Sequence, residues 1–105
     1  MPLRGKKLGL LLSTRPEKPG FRHGLQLAEA ALSRGVKVYV YCIDDAVTAL
    51  ADVQLQSLAA RGVNLFACAY AAHRRNIPVS DLATFAGLTV VSDLVASTDR
   101  FVSFN

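Results

Sequence analysis

A chain of 105 residues that is 51% hydrophobic and carries a net charge of +4 has the length of one domain and too much apolar content for disorder. No apolar run reaches the ~20 residues of a membrane helix, and the run Leu8–Leu12 behind Lys6 and Lys7 is too short for a secretory core, so a cytoplasmic protein is expected. Two cysteines without a CxxC or a Cys/His cluster argue against a disulfide scaffold and a structural zinc site.

The elements follow in order. "KKLGLLLS" reads as a buried strand, short and continuously apolar. "TRPEKPG", with two prolines and a glycine, is a loop. "FRHGLQLAEAALSRG" is a helix with Leu25, Leu27, Ala28, Ala31 and Leu32 near one face and Gly35 as its left-handed stop. "VKVYVYCI", rich in β-branched and aromatic residues, is the second strand. Asp44 or Asp45 is expected to cap a helix starting near Ala46, and a further helical stretch, "DVQLQSLAARG", ends at Gly62. "VNLFA" is the third strand and "AYAAHRR" a short helix after Cys68. Ser80 is expected to cap the turn into a short fourth strand near Thr84–Leu88. "VVSDLVASTD" reads as a helix and "RFVSF" as a closing strand.

Strands alternating with helices define an α/β protein with a mostly parallel sheet. The pieces "LSRGVKVYVYC" and "LAARGVNLFAC" repeat the order helix end, Arg-Gly-Val, strand, cysteine, which reads as two similar αβ units. Aligned on Arg-Gly-Val, Cys68 falls opposite Tyr41, not Cys42. Alternation of side chains along a strand then puts the two sulfurs on opposite faces of the sheet, so Cys42 is expected to be a core residue and not a resolving partner for Cys68. Six of the twelve basic residues lie in the first 22 positions; without interleaved aromatics they read as a solvated surface and not as a nucleic-acid platform.

In a parallel sheet the ligand crevice lies at the carboxyl ends of the strands. The first strand delivers Ser13, Thr14 and Arg15 there, the second Cys42, Asp44 and Asp45, the third Cys68 and Tyr70. Cys68 ends a strand and opens a helix, where free N–H groups face its sulfur. Such placement can lower a thiol pKa from ~8.5 into a range of roughly 3.5–7.5. By position alone Cys68 is either this kind of nucleophile or a small packing residue. His73 is not its partner, because five residues along a helix place it roughly 140° away. Arg74 and Arg75 suit the last turn, His23 a surface position, and Asp44–Asp45 a cap. "STRPEKPG" joins a strand to a helix, as phosphate loops do, but lacks GxGxxG and GxxxxGK[ST].

The ordered set "KKLGLLLS", the Pro/Gly loop with its alanine-rich helix, "RGVKVYVYCIDDAV", "LAARGVNLFACAYAAHRRNI" and "GLTVVSDLVASTDRFVSF" resembles the DsrE/DsrF-like family of sulfur-relay proteins along nearly the whole chain. The resemblance implies a three-layer α/β/α sandwich around a five-stranded parallel sheet, and a homo-oligomer, trimer or hexamer. It also implies persulfide transfer without a cofactor or metal, on Cys68 alone, with a TusA-like or rhodanese-type protein as partner. Whether such a carrier counts as a sulfurtransferase enzyme stays open, since it is used up and reloaded. The alternatives are a non-catalytic oligomeric module in which Cys68 only packs, and a small-molecule or nucleotide-binding protein using the Ser13–Arg15 loop.

Overall fold

The computed structural model describes residues 2–105. Its elements are β1 (Lys7–Leu12), α1 (Pro19–Ser33), β2 (Lys37–Cys42), a 3-10 helix (Asp44–Ala49), α2 (Val53–Ala60), β3 (Asn64–Cys68), α3 (Ala69–Arg74), β4 (Thr84–Ala86), α4 (Thr89–Ser97) and β5 (Arg100–Phe104). The five strands form one sheet in the order β4-β3-β2-β1-β5, with every neighbouring pair parallel. The chain walks from β1 to β4 in one direction, then crosses back to lay β5 on the far side of β1.

Register sorts the side chains. Leu8, Leu10 and Leu12 align with Val38, Val40 and Cys42, and these with Leu65 and Ala67; every one of these residues is buried. Helix α1 covers this face: Gly24 lies so close to Leu12 and Phe104 that a Cβ there would collide with the Leu12 side chain. Phe21, Leu25 and Ala28 of α1 and Leu55 and Leu58 of α2 complete the core. The opposite face carries Gly9, Leu11, Tyr39, Tyr41, Phe66 and Cys68, and α4, the third layer, packs on it against β1 and β5. Here Gly9 gives up its side chain to admit Phe101, which stands 2.5 Å from where a Cβ would be.

Local chemistry explains the helix boundaries. Gly35 and Gly62 end α1 and α2 with φ of 80° and 118°, a conformation that costs glycine no Cβ clash. Asp52 caps α2 by accepting the Leu55 N–H at 3.1 Å. Several expectations need correcting. Leu27 is 36% exposed, because the core stripe of α1 runs through Phe21, Gly24, Leu25 and Ala28. Neither Asp44 nor Asp45 caps a helix: Ile43 holds the cap position, without a side-chain bond, and both acids lie inside the first turn of the 3-10 helix. Asp44 has φ 52°, a left-handed conformation that aspartate tolerates better than most residues. Ser80 caps the turn before the fourth strand as expected, its Oγ accepting the Leu82 N–H at 3.3 Å. The fourth strand stops at Ala86, two residues short of Leu88.

Candidate functional site

The carboxyl edge of the sheet gathers Ser13–Arg15 after β1, Asp44 and Asp45 after β2, and Cys68 at the end of β3. Cys68 is the last strand residue and also the cap residue of α3, with its Sγ accepting the Ala71 N–H at 3.4 Å. It is only 2% exposed. Helix α3 has six residues, so its dipole is short, and the first-turn N–H that reaches the sulfur is that of Ala71.

Cys42 is separated from it as the alternation of side chains requires. It pairs in register with Ala67, one residue before Cys68, so the sulfurs point to opposite faces. A disulfide needs converging Cβ vectors, and both thiols are free. Cys42 is fully enclosed, and burial pushes its thiol pKa up to about 12.

Tyr41 shares the face of Cys68. It is fully buried, and its hydroxyl donates to the carbonyls of Ala86 at 3.1 Å and Gly87 at 3.2 Å. The phenol pKa is raised above that of an ordinary tyrosine, first by burial and then by the charge and hydrogen bonding of Cys68 beside it. No motif flagged Tyr41, although the Arg-Gly-Val alignment had already set it opposite Cys68.

The remaining candidates lie around this centre. Tyr70 is 66% exposed; Arg74 stacks 5.8 Å from its ring centroid and donates to its hydroxyl at 3.1 Å. Arg75 reaches the Ala71 carbonyl at 3.2 Å and pairs with Asp45 at 3.0 Å, tying α3 to the 3-10 helix. His73 and His23 face solvent. Among the described residues no three His, Cys, Asp or Glu side chains gather as metal ligands, and no helix is long and apolar enough to cross a membrane.

The Ser13 Oγ donates to Asn105 Oδ1 at 2.9 Å, and its N–H to the Phe104 carbonyl at 3.3 Å, joining the ends of β1 and β5. Thr14 Oγ1 is buried without a hydrogen-bond partner. A hollow of about 280 Å³ opens here between Ser13, Thr14, Arg15, Lys18, Asp45 and Asn105. A larger cavity of about 580 Å³ lies at the other end of the sheet, between Lys6, Lys7, Leu27, Arg34 and Asp99.

A parallel five-stranded sheet between helical layers, with a cysteine closing the third strand at the carboxyl edge, defines a small three-layer α/β protein. The sequence profile of the DsrE/DsrF-like family matches residues 6–104, and the chain belongs to that family, which is associated with sulfur relay. Among solved structures it is similar to the YchN protein from E. coli, at 19% identity over 95% of this chain and 99% of that one, with a TM-score of 0.79; at that identity the likeness is one of fold. No curated protein matches the sequence.

Proposed function

We propose that the protein is a cytoplasmic sulfur-relay carrier that holds sulfane sulfur as a persulfide on Cys68. The observation that carries this reading is the position of Cys68, at the carboxyl edge of the sheet with its sulfur already accepting a helix N–H at 3.4 Å. A thiolate is the reactive form. It attacks the outer sulfur of a donor persulfide, R–S–SH; a new S–S bond forms on Cys68, the donor S–S bond breaks, and R–S⁻ leaves and takes a proton. One zero-valent sulfur atom moves, and no external oxidant or reductant is consumed. The reverse step hands the sulfur to a partner thiol, on a TusA-like or rhodanese-type protein. The working form is a homo-oligomer, trimer or hexamer, for which 51% hydrophobic content in a small chain is the support.

Intact-protein mass measurement after incubation with a persulfide donor tests the reading. Wild type is expected to gain the mass of sulfur in a form that reductant removes, and Cys68→Ser to gain none. Equal loading of the two would overturn it. A second reading, a non-catalytic assembly module, draws on a specific observation: Cys68 is 2% exposed and already serves as a cap. Under that reading the native thiol stays inert to small thiol reagents.

A further inference from the structure

Cys68 sits under its neighbours, yet a sulfur carrier must meet a partner thiol. The neighbour held least by the sheet is the segment joining β4 to α4. β4 is three residues long and is held on one side only, by β3, where Ala86 pairs with Cys68. After Ala86 the chain leaves the sheet at Gly87, which is exposed and where a Cβ would meet nothing within 4 Å. The Gly87 carbonyl accepts the Val90 N–H at 3.2 Å, the first turn of α4. The same carbonyl and that of Ala86 are the two that receive the Tyr41 hydroxyl.

We infer that Tyr41 is a positioning residue for Cys68: its hydroxyl pins the Ala86–Gly87 backbone beside the thiol, and release of that pin opens the way to the sulfur. The inference deepens the carrier reading and rests on Cys68 being the reacting group. Tyr41 reaches across the sheet from β2 to a segment 45 residues later. The rest of its ring is core, so Tyr41→Phe removes the pin and leaves the packing in place. One neutral hydrogen bond contributes about 1 kcal/mol, which corresponds to about a fivefold change in the open population.

The experiment compares wild type with Tyr41→Phe, both carrying Cys42→Ala, in their reaction with a small reagent (methyl methanethiosulfonate) and a bulky aromatic disulfide. Amide exchange is followed at Val90 and Val91. The expected result is about a fivefold faster reaction of Cys68, greater for the bulky reagent, with faster exchange confined to the first turn of α4. Unchanged rates and exchange would overturn the inference. So would equal acceleration for both reagents with faster exchange throughout β1 and β2, since that is the mark of global unfolding. Sulfur loading from the persulfide donor, measured in parallel, separates the two ideas. A faster thiol that never loads sulfur keeps the pin and removes the carrier; loading that is identical in both proteins, with identical thiol rates, keeps the carrier and removes the pin.

Discussion

The two faces of the sheet are built on different terms. One, under α1 and α2, is closed: Leu10, Leu12, Val38, Val40 and Cys42 are buried without a polar side chain among them. The other, under α4, leaves Leu11, Tyr39 and Phe66 only partly covered and holds the buried tyrosine hydroxyl beside Cys68. The closed face encloses its thiol and raises its pKa; the other face sets its thiol beside the edge strand β4, where Ala86 pairs with Cys68. Local openings arise where buried contacts are few, so under the proposed carrier reading the second face is the one that suits an exchanging thiol.

The largest expected effect tests that asymmetry directly. Leu10→Ala on the closed face should cost about 2–5 kcal/mol in urea unfolding, in the range of fully enclosed leucines. Leu11→Ala, its immediate neighbour facing α4, should cost less than half as much. Equal costs would mean the faces are equally packed.

Alkaline pH sharpens the contrast between the thiols. The Cys42 pKa of about 12 in the fold lies above its value of roughly 8.5 in the unfolded chain. The unfolded state therefore loses the proton first. The stabilisation is fully present below pH ~8.5 and declines as pH rises towards the folded value, by about 1–2 kcal/mol at pH 10. Cys42→Ala should flatten that limb of the stability curve; an unchanged slope would show that Cys42 is not the buried group responsible.

A smaller effect belongs to the cap that fixes α2 on the closed face. Burial alone would raise the Asp52 pKa, but the hydrogen bond from Arg22 and those from the Leu55 and Gln54 backbone outweigh it and leave it lowered. Its contribution is present above the unfolded carboxylate value and fades as pH falls through the folded one. Asp52→Ala removes cap and ion pair and should cost about 1 kcal/mol, whereas Asp52→Asn keeps the cap and should cost less. Thermal unfolding of the two variants distinguishes them.

The smallest expected effect is none at all. Cys42→Ala should load sulfur on Cys68 as wild type does, read by intact mass. A dominant Cys42–Cys68 disulfide after mild oxidation, with loss of loading in the variant, would place the two thiols in one redox unit and undo the division between faces.

The fold was legible because its signals are local. Apolar runs of five or six residues, β-branched clusters and the Arg-Gly-Val punctuation each act within one element, and the glycines at 35 and 62 ended helices as their type demands. Details that depend on what packs against an element were not legible in this way. Leu27 carries the right periodicity for the core, but α1 is rotated so that Phe21 and Gly24 meet the sheet. Asp44 and Asp45 have the right chemistry for a cap, but the chain turns into a 3-10 helix two residues early, at Asp44, and Asp45 pairs with Arg75, thirty residues on. Tyr41 was half visible: alternation gave its face, whereas its bonds to Ala86 and Gly87 depend on β4 lying beside β3, which no spacing reports.

The placement of β5 has a consequence for synthesis. Its pairing with β1 joins residues more than ninety positions apart, through Lys7 N–H to the Asp99 carboxylate at 2.7 Å and Ser13 to Phe104. On the ribosome β1 emerges early and β5 after every other strand. Until then one border of the Leu8–Leu12 strand stays unpaired, and an open apolar strand is a template for wrong pairing. A nascent chain halted before Asp99 should therefore bind holding chaperones more strongly than one halted beyond Phe104. Equal binding at the two lengths would show that β1 is guarded by something other than its last neighbour.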